Sequence, residues 1–425
     1  MSEVKKDLNS FDSRLDLNNL DKSNWKTYRF DEIAKNISER VDPNNTDLKV
    51  YIGLEHIDSE SLHIKRHGTP DDVNGTKLKF YKGDIIFGRR RAYQRKAGIA
   101  TWDGFCSAHA LVLRANPDVI DPELFPFFLH SDLFMNRAID ISVGSLSPTI
   151  NWKTLKHQQF ILPPLDQQSD FANLFESINN VIDSESVLLM KLEVSLNSFI
   201  RRIFTKEIDA GCQKESIYCK SLFQTQWEKR EFPKGWRIMK LSDVVEDTQN
   251  GFAEGKRDEK GIPQLRMNNV TRDGRIHLEK VALIPKRNNL ERYLINESDV
   301  LFCNTNSEDL VGKSILATSE ISNFCFSNHF TRIRGKTSLI TQKYLYLWLK
   351  FHFDIGLFER LCTRWIGQAA VQTESLIRLQ IILPPLNEQE YASNYCQKIE
   401  DNIDTVKNKI DSSRAVLKSL LTKVF

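Results

Sequence analysis

Phe160-Ile-Leu-Pro-Pro-Leu-Asp-Gln-Gln168 recurs 221 residues later as Ile381-Ile-Leu-Pro-Pro-Leu-Asn-Glu-Gln389. Carried forward without a gap, the same offset places Leu196-Asn-Ser198 on Leu417-Lys-Ser419, and Ile200, Ile203 and Phe204 on Leu421, Val424 and Phe425. Carried backward with small drifts, Trp25 matches Trp236, Gly83-Asp84-Ile85-Ile86-Phe87 matches Ser298-Asp299-Val300-Leu301-Phe302, and Leu124 to Leu129 matches Tyr344 to Leu349. One shared tetrad would be chance, but an ordered series over nearly the whole chain is an internal duplication.

Each copy opens with a mixed region. Lys49 to Ile52, Asp84 to Phe87 and Ala110 to Leu113 are short apolar runs between Gly, Pro and Asn signals, and they predict strands. Pro122 to Phe134 and Gln342 to Phe358 predict amphipathic or buried helices. The expected fold class is therefore mixed α/β (α+β), with globular domains at 25–165 and 236–386, an N-terminal tail at 1–24 and a linker at 205–235. After each Pro-Pro-Leu the pattern changes, because residues 166–204 and 387–425 hold neither Pro nor Gly. Both stretches predict long helices, with Asp166 and Asn387 as N-caps. Ile399, Ile403, Val406, Ile410, Ser413, Leu417, Leu420 and Val424 form a heptad seam, as do Ile178, Ile182, Glu185, Leu189, Leu192, Leu196, Phe199 and Ile203. The seams are equal in length and suited to zip together along a rod approaching about 60 Å. A carboxylate in a seam costs stability, so the layer at Glu185 is expected to be wet or near an edge.

Composition bounds the function. The 425 residues suffice for two or three domains, and a 40% hydrophobic content is enough to bury proper cores. A net charge of +3 permits a nucleic-acid partner without arguing for one, so any basic surface must be local. The seven cysteines (106, 212, 219, 303, 325, 362, 396) show no C-x-x-C pair and no metal-ligand spacing, which suits a reducing cytosol. Lys5 and Lys6 have no apolar stretch behind them, and nowhere do about 18 apolar residues run together, so the expected location is cytoplasmic, with no membrane partner.

The two copies differ most where they carry charge. Copy one has Arg89, Arg90, Arg91, Tyr93, Gln94, Arg95 and Lys96 directly after a strand, a composition suited to phosphates and to guanine edges or, more plainly, to a solvated basic loop. Copy two places Asn304, Thr305 and Asn306 there, followed by Lys313, and an earlier strand ends in Arg266, Asn268 and Asn269. Amides suit adenine as guanidiniums suit guanine. The loop from Gln249 to Gly261, with Asn250, Lys256 and Arg257, is a further DNA-facing candidate or, equally, a mobile surface loop. His109 and His329 correspond between copies, as polar contacts or as structural histidines. Catalytic signatures fail one by one. Val311-Gly312-Lys313-Ser314 lacks the upstream glycine of a Walker loop, Leu-Pro-Pro-Leu lacks the polar and aromatic flanks of an adenine methyltransferase motif, and Asp258-Glu259-Lys260 has no partner acid.

Two globular modules, each ending in Leu-Pro-Pro-Leu-x-x-Gln and a heptad helix that closes on Leu-x-Ser and Phe, resemble the specificity subunit of type I restriction-modification systems. The resemblance covers essentially the whole chain through Leu162 to Gln168, Leu383 to Gln389 and the helix ends at 196–204 and 417–425. The Gly-Ser-rich approach to the last strand is imperfect, reading Gly144-Ser145 and Gly367-Gln368. The resemblance implies two target-recognition domains, each reading half of a bipartite site in double-stranded DNA, spaced by an antiparallel coiled coil. The spacer and partner-subunit residues are then Ile178, Ile182, Leu189, Leu196 and Ile203 with Ile399, Ile403, Ile410, Leu417 and Val424. It also implies two methyltransferase (modification) subunits using S-adenosylmethionine and restriction/translocase subunits using ATP and magnesium, with no cofactor, metal or catalysis on this chain. The competing readings are a coiled-coil scaffold without DNA readout and a self-contained DNA methyltransferase or nuclease.

Overall fold

Ile85-Ile-Phe-Gly88 and Val300-Leu-Phe-Cys303 are buried along their whole length, and each runs through the middle of a sheet of the same design. These sheets come from a computed structural model that describes residues 17, 20–59, 61–205, 214–220 and 227–425. Most of the expected tail, including Lys5 and Lys6, lies outside the described residues, as do 206–213 and 221–226 of the expected linker with Cys212. The rest of that linker forms an antiparallel hairpin, Lys214–Lys220 with Trp227–Pro233. The chain divides into two compact units, residues 1–188 with 406–425, and residues 189–405.

In the first unit the strands β1 (Ala34–Ile37), β2 (Ile85–Gly88), β3 (Ala97–Ile99) and β4 (Ala110–Ala115) form an antiparallel sheet in the order β1-β4-β2-β3. In the second, β5 (Val245–Asn250), β6 (Val300–Cys303), β7 (Ser314–Leu316) and β8 (Phe330–Gly335) repeat that order as β5-β8-β6-β7. A smaller sheet accompanies each, and in both it contains one parallel pair: Tyr51–Ile52 with Gly104–Cys106, and Ile262–Leu265 with Cys325–Phe326. The first strand of each domain pairs with the last, Lys26 opposite Leu162 and Arg237 opposite Leu383. The Pro-Pro motif therefore begins where the domain has just closed on itself.

The predicted strands are present with shifted ends, but each predicted helix is split. Pro122 to Phe134 becomes Phe125–His130 and Asp132–Asp140, because Ser131 is extended and its hydroxyl accepts from Phe134 N–H to start a new helix. Gln342 to Phe358 becomes Gln342–Asp354 and Leu357–Leu361, separated by Gly356 at φ +72°.

The long helices are α1 (Leu165–Thr205) and α2 (Leu386–Val424). They start one residue earlier than expected. The N–H groups of Gln167 and Gln168 donate to Pro164 O, and those of Glu388 and Gln389 to Pro385 O, so Asp166 and Asn387 lie inside the first turn and are not caps. Proline suits this position because its backbone has no N–H to leave unpaired. Each helix belongs to both units. In the first, Phe171 and Phe175 of α1 share a buried cluster with Leu421 and Val424 of α2, while Glu185 faces Lys409 at 3.7 Å, so the two segments run antiparallel. Oε2 of Glu185 is buried without a hydrogen-bond partner among the described residues, the cost expected of a seam carboxylate. In the second unit Phe199 of α1 packs on Tyr395 of α2, ring centroids 4.4 Å apart.

Of the expected seam positions, Ile182, Leu196, Ile203, Ile399, Ile403, Ile410 and Val424 are buried, and Ile178, Leu189 and Leu417 are half-buried. The helix ends are exchanged. Phe204, in copy one's helix, packs on Tyr344 and Phe351 of the second domain, and Phe425, in copy two's helix, packs on Phe128 of the first. Each core is therefore completed by the other copy's last turns.

Candidate nucleic-acid interface

The chain leaves β2 at Gly88 and turns at once into Arg89, Arg90 and Arg91. Arg90 is exposed, and its Nη1 lies 3.3 Å from Nε2 of His109, which sits just ahead of β4, the neighbouring strand. Burial, together with the positive charges of Arg90, Arg89 and Lys77, pushes the His109 imidazole below its usual range. It stays neutral at pH 7, so one ring nitrogen accepts and the other donates. Arg91 (φ +53°) and Arg95 (φ +50°) hold left-handed backbone on either side of the single turn Ala92–Gln94. That conformation is unfavourable for non-glycine residues, and here it turns the Tyr93 side chain outward, 57% exposed.

The second unit builds the same sheet end from amides and hydroxyls. Asn304 follows β6, and its Nδ2 donates to Thr331 Oγ1 of β8 (3.0 Å), which in turn donates to Oδ1 of Asn250 at the end of β5 (2.6 Å). Thr305 and Thr373 extend the network. Gly251 follows Asn250 because no side chain fits there, a Cβ falling 2.2 Å from Ser327 O. His329 corresponds to His109, and burial, with Arg266 nearby, pushes it down as well. Lys256, Arg257 and Asn268 are exposed on the adjoining loops.

Several expected contacts are instead tied into the fold. Lys313 is 3% exposed, and its amine donates to the carbonyls of Met267 and Val270. Asn269 is 2% exposed, with Nδ2 on the carbonyls of His277 and Lys280 and Oδ1 on Arg266 N–H. Asn306 is buried, its side chain bonded to Cys303 Sγ and Ser307 N–H. These three residues do not reach the surface, because each satisfies backbone groups that would otherwise be unpaired, Asn269 and Asn306 near themselves in sequence and Lys313 in a distant turn. Arg95 is held by Asp132 and His130 O, Lys96 by Leu54 O, and Arg266 by Gln264 and Glu254 O, so their polar ends are directed inward. The surface candidates that remain are Arg90, Arg91 and Tyr93 in one unit, with Arg89 and Gln94 half-buried beside them. In the other they are Asn250, Lys256, Arg257 and Asn268, with Asn304 and Thr305 half-buried.

The segments marked in the sequence by Gly144-Ser145 and Gly367-Gln368 border both sites as hairpins, a form the sequence did not show. In the first unit Thr149 bridges both Arg90 and Val143, closing a hairpin whose turn holds Gly144 (φ +115°) and Leu146. In the second, Thr363–Trp365 pairs with Gln368–Ala370, which pairs with Thr305–Asn306, and the turn holds Ile366 and Gly367 (φ +80°). The signal was an apolar residue directly before a glycine, Val143-Gly144 and Ile366-Gly367.

No group of three or more His, Cys, Asp or Glu among the described residues is arranged to hold a metal ion. Among the described residues, no helix is long and apolar enough to cross a membrane. Cys106, Cys303, Cys325, Cys362 and Cys396 are free thiols, and burial pushes Cys106 and Cys396 up to about 12.

The model of the family described as type I restriction modification DNA specificity domain matches the chain twice, at residues 22–194 and 233–412. A putative type I restriction enzyme MjaX specificity subunit of Methanocaldococcus jannaschii is 25% identical over 198 residues, 46% of each chain. The type I restriction enzyme EcoDI specificity subunit of Escherichia coli is 26% identical over 200 residues, 46% of this chain and 44% of that one. These alignments span less than half the length of those relatives. The solved S subunit of a type I restriction-modification system from M. genitalium has the same fold, with a TM-score of 0.59 at 13% identity over 96% of this chain and 98% of that one. Matched over both of its repeats, the chain belongs to the type I restriction modification DNA specificity domain family.

Proposed function

We propose that the chain is the non-catalytic specificity subunit of a type I restriction-modification complex, each unit reading one half of a bipartite site in double-stranded DNA. The observation that carries this reading is one sheet end built twice with different chemistry. Arg90, Arg91 and His109 follow β2 and precede β4, while in the second unit Asn304 follows β6 and bonds Thr331 of β8, which bonds Asn250 at the end of β5. A common scaffold with divergent polar ends is what a reader of two different half-sites requires, because phosphate contacts position a protein and base-edge contacts specify sequence. Arg90 and Arg91 suit guanine edges or phosphates, and the Asn250 and Asn304 amides suit adenine.

The partners in this reading are two modification subunits, which methylate adenine with S-adenosylmethionine, and restriction/translocase subunits, which use ATP and magnesium. None of these cofactors binds the present chain, which works in the cytoplasm. The test is to express the chain with its modification partner and map methylated adenines across the host genome. The expected result is a single two-part motif, with Arg90→Ala relaxing or abolishing only one half. Methylation unaffected by Arg90→Ala, Arg91→Ala, Asn250→Ala and Asn304→Ala together would remove the interface proposed here.

A further inference from the structure

The hairpins beside the two candidate sites end in apolar side chains with nothing over them. Leu146 is 95% exposed with Val143 beside it, and Ile366 is fully exposed with Trp365 beside it. Single exposed apolar residues are ordinary on a protein surface. These two lie in the turn of the corresponding hairpin of each repeat, Leu146 two residues after Gly144 and Ile366 just before Gly367, although the loops Val143-Gly-Ser-Leu-Ser147 and Trp365-Ile-Gly-Gln368 share little beyond an apolar residue near a glycine. Each hairpin is bonded through its backbone to the segment that carries the polar candidates. Arg91 N–H donates to Pro148 O and Ile150 N–H to Arg89 O in one unit, and Val371 N–H donates to Asn304 O in the other. Both tips therefore lie on the surface that the preceding reading assigns to DNA.

The chemistry around the first tip selects its occupant. Arg90 and Arg91 lie on the segment whose backbone is bonded to this hairpin, both exposed, and no carboxylate pairs with either among the described residues. An apolar point on the same surface as guanidiniums that no carboxylate neutralises is a poor fit for an apolar protein groove, which leaves the charges desolvated. It is a good fit for a duplex, whose phosphates take the cations and whose groove floor offers thymine methyls and base faces. In the second unit the flanking cation, Arg364, is held by Glu308 at 2.6 Å, and Trp365 supplies a ring face suited to stacking instead.

We propose that Leu146 and Ile366 are apolar wedges that enter the duplex at each half-site and pack against its bases, a role that rests on the DNA-reading function above. Contact of this kind stabilises binding without displacing counterions, so it is separable from phosphate contact by its salt dependence. The experiment measures binding of the full chain to duplexes selected by it from a random-sequence pool, across a salt series, for the natural protein and for Leu146→Ser, Ile366→Ser and Leu146→Met. Each serine variant is expected to bind about tenfold more weakly, or worse, at every salt concentration, with an unchanged slope of log affinity against log salt. Leu146→Met restores most of the loss, and none of the variants shifts the melting temperature of the free chain. Serine variants that bind within about twofold of the natural chain overturn the wedges and leave the DNA-reading function standing. A natural chain that shows no salt-dependent binding overturns both.

Discussion

Gln168 and Gln389, equivalent residues of the two repeats, make the same three hydrogen bonds. Gln168 Oε1 accepts from Asp121 N–H (2.7 Å), and its Nε2 donates to the carbonyls of Val119 (3.0 Å) and Pro163 (2.8 Å). Gln389 accepts from Thr341 N–H (3.0 Å) and donates to the carbonyls of Leu339 and Pro384 (2.9 Å each). Both side chains are buried, so each amide ties the first turn of a long helix to the loop that leads into its domain's own helices. This is why glutamine ends the repeated motif: only a primary amide on that stem offers one acceptor and two donors. Gln389→Leu leaves an N–H and two carbonyls buried and unpaired and is expected to destabilise the second unit by about 3 kcal/mol or more. Denaturant unfolding followed by hydrogen exchange at 341–354 checks it, and a midpoint unchanged by the substitution would contradict the staple.

The turn that leads into the central strand is also duplicated, with one difference. Gly83 (φ +92°) and Ser298 (φ +67°) both adopt left-handed backbone, and their N–H groups donate to Ala100 O and Ala317 O respectively. Serine carries a Cβ penalty there of about 1 kcal/mol that glycine avoids. Ser298→Gly is expected to raise the melting temperature slightly or leave it unchanged. Gly83→Ser lowers it, although the Cβ added at Gly83 meets nothing within 4 Å and space is not the obstacle. Calorimetry of the two variants compares them directly.

Legibility in the sequence followed locality. The repeat, the two long helices and the strand after Asp84 were readable because each rests on a short pattern. The side-chain assignments were harder, since a buried polar residue looks like an exposed one until its partners are known. Lys313 resembles a phosphate contact by type, yet it holds two carbonyls of a turn that lies 43 and 46 residues away in sequence. Lys313→Ala is accordingly expected to lower thermal stability, whereas Arg91→Ala, at an exposed position, leaves stability unchanged and weakens DNA binding with a shallower salt slope. Comparing melting curves with salt-titrated binding for the two variants separates the roles. Equal effects of both on the salt slope would return Lys313 to the interface.

Burial pushes His352 down to about 4 while its Nδ1 faces Trp348 O at 2.8 Å. Unfolded, the imidazole titrates near its ordinary value of roughly 6.5. Its folded affinity for protons is the lower one, so the unfolded chain gains protons first as pH falls. Stability contributed by the neutral ring is complete above about pH 6.5 and is lost as pH falls towards 4, by at most about 3 kcal/mol. Melting temperatures taken across that window should fall in the natural chain and fall less in His352→Leu. Parallel curves for the two would show that other groups set the acid limit.

The exchange of helix ends makes the most specific prediction, because the heptad pattern alone fits a helix end on either domain. Phe204 belongs by sequence to the first copy but lies in the core of the second unit, 7% exposed, with ring centroids 5.3 Å from those of both Tyr344 and Phe351. Phe425 belongs to the second copy and lies 5.3 Å from Phe128 in the first unit. Replacing a buried phenylalanine by alanine removes its transfer energy and leaves a cavity, about 3 to 5 kcal/mol for a site that cannot collapse. The buried Phe204 should approach that range, and the half-buried Phe425, at the chain end, should fall below it. The location of the damage is the sharper readout. Phe204→Ala is expected to raise hydrogen exchange in Gln342–Asp354 while leaving Phe125–Asp140 protected, and Phe425→Ala to do the reverse. Each substitution loosening the domain that precedes it in sequence would mean that the helices pack on their own domains. The crossed result follows only if each core needs the other copy's last turn.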